Sequence, residues 1–354
     1  MLTIIAILVV IGGVVLAHEL GHFTFAKLTG MRVEVFSIGF PPKLVSKKIG
    51  ETEYTISAIP LGGYVKVSGL IDESMDVEIK GEPWEFQSKN TFQKLLFVSG
   101  GVLFNILLAV VIFSLLTAVT GIYEPESSTV IDSVVEGFPA DSIGLKPGDR
   151  IVAVNGVETP DWSTVTEIIH AHPDTVIAIS WVRDSLFFEK EVRTVTTRLL
   201  KGGDIVTVGI IGISPKMHHR DAGLFLAIKK GFESTFYWIK VTVISLKLLI
   251  TGKESLRNIG GPIFIAQIAG ETAKSGGVSA LIGLMAIISV NLALINILPL
   301  PALDGGHFVI VVIEGILGHP LSAKTKLRIQ QIGLGIIIAL TILVFYNDIA
   351  RLLR

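Results

Sequence analysis

Cysteine is absent from this chain of 354 residues. The chain can therefore form no disulfide bonds, and it offers no thiolate to a metal ion. Without cysteine, the sequence does not indicate whether the protein lies in an oxidising or a reducing compartment. If the protein binds a metal, histidine and carboxylate side chains must supply the ligands.

Charged residues are also scarce, at 17% of the chain, against about 25% in an average soluble domain. Half of the residues are hydrophobic, and the mean hydropathy is +0.66. This composition predicts an integral membrane protein with the lipid bilayer as a partner. The formal net charge of -1 gives no reason to expect a nucleic acid ligand.

Four stretches are long and apolar enough for a bilayer-spanning helix, which needs about 20 residues. They predict a polytopic α-helical membrane protein with about four transmembrane helices, a small membrane-associated β-hairpin region and one inserted β-rich domain. The predicted segments are a first span at 1–26, a loop with the β region at 27–91, a second span at 92–121, the β-rich domain at 122–215, an amphipathic or interfacial helical region at 216–277, a third span with a broken end at 278–317, and a fourth span with the C-terminus at 318–354.

Basic residues near the ends of the spans predict the orientation of the chain. Lysine and arginine flank the connection between the first two spans and precede the fourth span, whereas acidic residues follow the second span. The 27–91 loop is therefore expected to face the cytoplasm, and the 122–215 domain to be extracytoplasmic. Arg351 and Arg354 oppose this orientation, but the longer loops carry more basic residues.

The 216–277 region is apolar but is interrupted by charged residues. Glu233, Lys240 and Lys247 recur at intervals of seven, which places them near one face of a helix. This pattern favours a helix at the membrane interface over a fifth span.

The first span ends in a metal-binding pattern. His18 and His22 are four residues apart and share one helix face, with Glu19 beside them as a candidate base. The run from Leu2 to Ala17 has no charged residue, and ionisable groups at membrane depth usually have a function. A signal peptide would also be apolar, but a basic n-region and an A-x-A cleavage site are missing. These residues predict a peptidase whose metal lies in the membrane.

A catalytic zinc site usually takes three protein ligands and keeps one position for water, so a third ligand must come from elsewhere. The segment 296–307 offers two candidates, because two prolines and two glycines interrupt the helix there. Asp304 would complete a set of two histidines and one carboxylate, whereas His307 would give three imidazoles. Spacing does not exclude His307. We favour Asp304, since an unpaired carboxylate between apolar runs is costly and usually has a function.

In the loop after the first span, residues 43–67 are predicted to form short strands, and two runs in this segment are candidate strands. Residues 51–59 alternate in polarity, and residues 61–67 follow with Gly62, Gly63 and Tyr64 near their start. An edge strand beside a protease site could pair with an extended substrate backbone, which makes these three residues candidates for substrate binding. A plain cytoplasmic hairpin accounts for the same pattern equally well.

The 122–215 domain contains short β-like runs and one helical stretch at 161–170. Its GLKPGDRI sequence at 144–151, followed by Asn155-Gly156, resembles the PDZ domains of bacterial envelope proteases. The glycine-containing run near the end of this domain is compatible with an ordinary core strand and equally with a peptide-binding strand. In the permuted strand order of those PDZ domains, four residues would form the peptide-binding loop and strand: Gly209, Ile210, Ile211 and Gly212.

Together these motifs resemble the bacterial site-2 proteases of the RseP type, with a single PDZ domain. The motifs follow the order of that family along nearly the whole chain: HELGHFTFAKL at 18–28, IPLGGYVKV at 59–67, the PDZ-like insert, NIGGPIFIAQ at 258–267 and NILPLPALDGGH at 296–307.

The resemblance implies one zinc ion per chain, bound by His18, His22 and Asp304, with Glu19 as the catalytic base and Asn296 holding the substrate. It implies a metalloendopeptidase of the bacterial cytoplasmic (inner) membrane that acts in regulated intramembrane proteolysis, with the active site toward the cytoplasmic side. The implied substrates are membrane-spanning segments of anti-sigma factors or remnant signal peptides, already cut by another protease.

Two other classes of protein compete with this interpretation. A catalytically silent membrane scaffold would use the PDZ-like domain to bind peptides, but a purely structural zinc site has no use for Glu19. A zinc transporter would also place histidine and aspartate in the membrane. Transporters commonly show repeat symmetry between their halves, and we find no such repeat in the sequence.

Overall fold

The computed structural model describes residues 2–70, 80–201 and 204–353. The chain divides into two compact units, one formed by Met1–Leu116 with Phe225–Arg354 and the other by Thr117–Leu224. The segment limits predicted from the sequence stay predictions.

The described residues form nine α-helices and twelve β-strands. The helices are α1 Leu2–Leu28, α2 Thr91–Thr120, α3 Pro139–Ser142, α4 Trp162–His170, α5 Leu224–Ile250, α6 Pro262–Ser275, α7 Gly277–Asn296, α8 Asp304–Leu317 and α9 Ala323–Leu352. The strands are β1 Val33–Ile49, β2 Thr52–Val67, β3 Ile122–Pro125, β4 Ile131–Val134, β5 Arg150–Val154, β6 Val157–Glu158, β7 Val176–Arg183, β8 Leu186–Arg193, β9 Val195–Lys201, β10 Asp204–Ile210, β11 Ile213–Pro215 and β12 Met217–Arg220.

Four of the described helices are long and apolar enough to cross a membrane: α1, α2, α7 and α9. The shortest, α7, has 20 residues. At about 1.5 Å per residue it reaches about 30 Å, which matches the hydrocarbon thickness of a bilayer. The prediction of four apolar membrane helices is therefore confirmed.

The helix α5 is not among these four, because charged residues interrupt its apolar sequence. It nevertheless packs against the apolar helices. A side chain on Gly231 would meet the backbone of Val110 and Ser114 on α2, and Thr242 donates a hydrogen bond to Asn291 on α7 at 2.6 Å. α5 is one continuous helix that lies against α2 and α7.

The strands β1 and β2 form an antiparallel hairpin that folds back on itself. Phe36 of β1 pairs with Tyr54 in the first half of β2 and also with Val65 in the second half. The second half of β2, Gly63–Val67, therefore lies at an edge. The sequence predicted short strands only from Lys43 onward. The hairpin begins at Val33 because Val33 and Phe36 are buried in a core with the end of α1.

Two buried acidic residues tie helix ends together in the first unit. Asp348 on α9 is 2% exposed and accepts hydrogen bonds from the backbone N–H groups of Gly261 at 2.9 Å and Ile263 at 3.0 Å, where α6 begins. Glu314 on α8 is 7% exposed and lies 2.6 Å from the ammonium nitrogen of Lys326 on α9. The bonds to Asp348 supply partners for backbone N–H groups at the start of α6 that would otherwise lack them, and the Glu314–Lys326 pair joins α8 to α9.

The second unit is mainly β-structure around its own core. Strands β6, β5, β7 and β8 form a four-stranded antiparallel sheet in that order. The pairs β9–β10, β4–β11 and β3–β12 are also antiparallel. Ile151, Trp181 and Ile169 of α4 belong to one buried cluster. Asp149 binds Arg183 at 2.6 Å and raises the pKa of that guanidinium above its usual value.

Candidate metal centre

The helix α1 brings His18 and His22 together on one buried face. Each residue is 8% exposed, and their Nε2 atoms lie 3.2 Å apart. The Nδ1 atom of His22 is 3.0 Å from the carbonyl oxygen of Phe97 on α2. If Nδ1 donates its proton to this carbonyl, the Nε2 atom of His22 keeps a lone pair for a metal ion.

Asp304 reaches the two histidines from the first turn of α8. Its Oδ2 atom lies 3.3 Å from the Nε2 atoms of both His18 and His22. The chain between α7 and α8 is held in a tight bend. Side chains on Gly305 and Gly306 would collide with backbone atoms of that bend. The glycines therefore let Asp304 sit against the end of α7.

These three donor atoms fit a metal ion. In a tetrahedral zinc site with bonds of about 2.0–2.1 Å, neighbouring ligand atoms lie about 3.3–3.4 Å apart. The three separations here are 3.2, 3.3 and 3.3 Å. Oδ2 of Asp304 is buried without a hydrogen-bond partner, as expected of an atom that is placed to bind a cation. Among the described residues, His18, His22 and Asp304 form a group that could hold a metal ion.

Gly100 and Gly101 on α2 and Gly21 on α1 allow the two helices to pack closely beside the histidines. A Cβ atom on Gly101 would lie only 2.5 Å from Nδ1 of His18 and from Nε2 of His22. A Cβ atom on Gly21 would collide with the backbone of Gly100. The two helices cross at contact distance only because both surfaces lack side chains at this point.

Glu19 lies beside the donor atoms and lines a cavity of about 470 Å³. The cavity walls also include His18, His22 and Asp304, so the metal-binding group is reached from this space. Glu19 itself is partly exposed. A carboxylate next to the open side of a metal site is placed to accept a proton from water.

The predicted substrate-binding residues line the same cavity: Asn296, Gly62, Gly63 and Tyr64. The side-chain nitrogen of Asn296 lies 3.3 Å from Nε2 of His18. A Cβ atom on Gly63 would lie 3.3 Å from Cγ of Glu19 and 2.6 Å from the carbonyl oxygen of Ser37. Only glycine allows the edge of β2 to pass so close to Glu19.

The rival ligand His307 also lines this cavity. Its backbone N–H donates to the carbonyl oxygen of Leu303 in the first turn of α8. The described group of mutually close ligand atoms nevertheless contains Asp304 and not His307. The geometry therefore favours a set of two histidines and one carboxylate.

Three of the four candidate peptide-binding residues of the second unit line a groove of about 240 Å³. One wall is α4, with Trp162, Ile169 and His170, and the other wall includes Ile210, Ile211 and Gly212. Gly209 approaches the end of α4 so closely that a side chain there would collide with the carbonyl oxygen of Ile169. All four predicted residues therefore lie beside α4, and Gly209 does so outside the lining of the groove.

Asn105 is a further residue beside the candidate metal centre, and it is not among the site residues predicted from the sequence. It lies on α2 with 0% exposure, and its Nδ2 atom is 3.3 Å from Nδ1 of His18. Its backbone carbonyl accepts a hydrogen bond from Ser289 on α7 at 2.8 Å. Its side-chain amide within an apolar span was a signal that could have identified Asn105 from the sequence, because polar groups at membrane depth are costly unless they have partners.

The donor set and the helices together define a class of protein. Two imidazoles and one carboxylate, with a glutamate beside them and a cavity in front, are the parts of a metal-dependent hydrolase. Here the two histidines and the glutamate lie on α1, which is long and apolar enough to cross a membrane, and the carboxylate lies on α8, which follows the apolar helix α7.

The chain belongs to peptidase family M50, the family of the site-2 proteases, whose family model matches residues 6–340. It is similar to zinc metalloprotease RasP of Geobacillus kaustophilus, with 31% identity over 422 residues that cover 99% of this chain and 98% of the relative. RasP of Bacillus licheniformis is 28% identical over 425 residues, with 99% of both chains covered. A Clostridium perfringens protein, provisionally named as a zinc metalloprotease, is 33% identical over 358 residues, with 98% of both covered. The protein is thus a membrane zinc metalloprotease.

A comparison with solved structures gives the crystal structure of the PDZ domain of an SdrC-like protein from Listeria monocytogenes. The match covers 27% of this chain and 93% of the Listeria chain, with 16% identity and a TM-score of 0.21. The PDZ identity of unit Thr117–Leu224 stays a prediction.

Proposed function

We propose that this protein is an intramembrane endopeptidase that hydrolyses peptide bonds in transmembrane segments of other membrane proteins. One observation carries the proposal. Three donor atoms from α1 and α8 lie 3.2–3.3 Å from one another, beside a cavity that contains a glutamate, and α1 is long and apolar enough to cross a membrane.

His18, His22 and Asp304 hold one zinc ion in this proposal. Zinc in such a ligand set acidifies water and polarises a carbonyl oxygen. Glu19 accepts the proton of the attacking water and passes it to the leaving nitrogen of the cleaved bond. Asn296, whose amide lies 3.3 Å from His18, donates a hydrogen bond to the oxygen of the scissile carbonyl.

The edge of β2 binds the substrate backbone. A helical substrate must unwind before cleavage, because its carbonyl groups are otherwise engaged in helix hydrogen bonds. The segment that begins at Gly63 pairs with β1 through Ser37 and Ile38, and no described strand pairs with its other edge. This edge lies at the cavity with Gly62 and Tyr64, and it can replace the hydrogen bonds that the substrate loses.

The unit Thr117–Leu224 binds peptides through the groove beside α4. The N–H groups of the strand from Gly209 to Gly212 would receive an extended peptide or its terminal carboxylate. This groove supports a role in substrate selection over a purely structural role.

The charge pattern of the loops supports the topology proposed for the protein. The segment after α1 carries basic residues, whereas acidic residues follow α2. We place the catalytic site toward the cytoplasmic side of a bacterial inner membrane and the PDZ-like unit on the extracytoplasmic side. Its substrates are anti-sigma factors or remnant signal peptides that another protease has shortened, within regulated intramembrane proteolysis.

Cleavage of a single-span substrate by purified enzyme tests the proposal. Wild-type protein and Glu19→Gln are reconstituted into lipid vesicles with the substrate, and the products are identified by mass spectrometry. We expect wild type to cut within the apolar segment, and Glu19→Gln to bind equal amounts of zinc without cutting. Full activity of Glu19→Gln would contradict the proposed mechanism. Cleavage only outside the apolar segment would contradict the proposed substrate class.

A further inference from the structure

The amide of Asn105 faces the ring nitrogen of His18 that points away from the donor group. The Nε2 atom of His18 lies 3.2 Å from Nε2 of His22 and 3.3 Å from Asp304, so Nε2 is the atom that would bind the metal. The opposite nitrogen, Nδ1, lies 3.3 Å from the side-chain amide of Asn105. The two helices α1 and α2 therefore share a polar contact directly behind the metal-binding atom.

The position of the proton on the His18 ring decides whether Nδ1 donates or accepts the hydrogen bond in this contact. A neutral imidazole that binds a metal through Nε2 carries its proton on Nδ1, and Nδ1 is then a hydrogen-bond donor. The amide nitrogen of Asn105 is also a donor, and two donors do not form a hydrogen bond. The two ends of an amide have the same shape, and their partners decide which end is oxygen. With nitrogen toward His18, the Oδ1 atom of Asn105 is buried without a partner.

We infer that Asn105 turns its Oδ1 atom toward His18 and accepts the Nδ1 proton, which holds the ring with Nε2 toward the metal. Asn105 is thus a positioning residue for the zinc ligand His18, not a catalytic residue. His22 is held in the corresponding way by the backbone carbonyl of Phe97, at 3.0 Å. One histidine is oriented by backbone and the other by a side chain, and both acceptors lie on α2.

The position of Asn105 is itself fixed by α7. Ser289 donates its hydroxyl proton to the backbone carbonyl of Asn105 at 2.8 Å, and both residues are 0% exposed. α7 ends at Asn296, just before the bend that leads to Asp304. The same contact therefore joins the helix behind His18 to the helix that leads to the third ligand.

The carbonyl of Gly101 is a rival acceptor for the His18 ring, because it also lies within hydrogen-bond reach. Gly101 and Asn105 are four residues apart on α2, so both face His18. If the backbone of Gly101 alone orients the ring, the side chain of Asn105 is dispensable. Variants at Asn105 separate the two possibilities.

Zinc affinity of the full-length protein in detergent provides the test. The metal is removed with a chelator, and zinc is titrated back in competition with a chromophoric chelator. Asn105→Leu keeps the size of the side chain but removes the acceptor, and we expect about 10- to 100-fold weaker binding. Asn105→Asp keeps an acceptor oxygen and should bind zinc close to wild type. A residue that only fills space would give the opposite ranking.

Asn291→Leu is a matched control, because its amide oxygen binds Thr242 at 2.6 Å on the other side of α7. It should leave zinc affinity unchanged. Unchanged zinc affinity in Asn105→Leu would overturn the inference in favour of the Gly101 carbonyl. Equal losses in Asn105→Leu and Asn105→Asp would also overturn it, since the amide would then act as a donor. Thermal unfolding of the metal-free variants shows whether each is folded, and Asn105→Asp remains decisive if the leucine variant does not fold.

Discussion

The glycine at position 101 offers the sharpest perturbation of the metal centre. A Cβ atom at Gly101 would lie 2.5 Å from Nδ1 of His18 and from Nε2 of His22. Ordinary contacts between such atoms are about 3.5 Å, so Gly101→Ala must move the rings or the helix by about 1 Å. Zinc bonds tolerate deviations of only about 0.2 Å. The three donor atoms therefore cannot all keep their places.

We expect Gly101→Ala to lose zinc and activity much more than stability. Overpacking costs about 1–3 kcal/mol, but alanine in place of glycine returns about 0.5–1 kcal/mol within a helix. A misplacement of about 1 Å costs about 100-fold in catalysis. The assays are zinc content by mass spectrometry, cleavage rate on a reconstituted substrate, and thermal unfolding.

Gly335→Ala on α9 is the control, because a Cβ atom there meets no other atom within 4 Å. It should keep the zinc content and activity of wild type. If Gly101→Ala also retained one zinc per chain and full activity, the packing of α2 against the two histidines would not be what fixes the ligands.

Three further predictions concern the helix ends and the metal. Lys326→Met should destabilise the protein by about 3–5 kcal/mol, because it leaves Glu314 buried without its partner 2.6 Å away; an unchanged unfolding temperature would contradict this. Asp348→Ala should cost about 1–2 kcal/mol and make the chain before α6 more sensitive to protease, since Asp348 accepts three backbone hydrogen bonds there; equal protease resistance would refute it. Removing zinc with a chelator should abolish cleavage but leave the helical circular dichroism nearly unchanged, because α1 and α2 are also held by a buried apolar cluster.

The sequence alone predicted the four apolar helices, which the structure confirms, and it singled out the residues of the candidate metal centre. His18, Glu19, His22 and Asp304 could be found because each is an ionisable residue in or beside an apolar run, where such residues are costly. The broken helix around Asp304 could be read from its prolines and glycines. These signals are local, so a single chain reveals them.

The contacts that hold the site together could not be predicted in the same way. The hydrogen bond from Ser289 to Asn105 joins residues 184 positions apart, and Asn105 lies 87 positions from His18. No local pattern specifies which face of α2 meets α1. The start of the hairpin at Val33 was missed for the same reason, because the burial of Val33 and Phe36 depends on a core formed with α1 and α2.

The identity of the third zinc ligand decides whether the metal centre consists of two histidines and one carboxylate. Zinc content should be measured in purified Asp304→Asn and His307→Ala, with wild type as the reference. We expect Asp304→Asn to lose most of its zinc, because Oδ2 of Asp304 lies 3.3 Å from both histidine nitrogens. We expect His307→Ala to keep one zinc per chain. Full zinc in Asp304→Asn together with loss of zinc in His307→Ala would show instead that His307 is the third ligand.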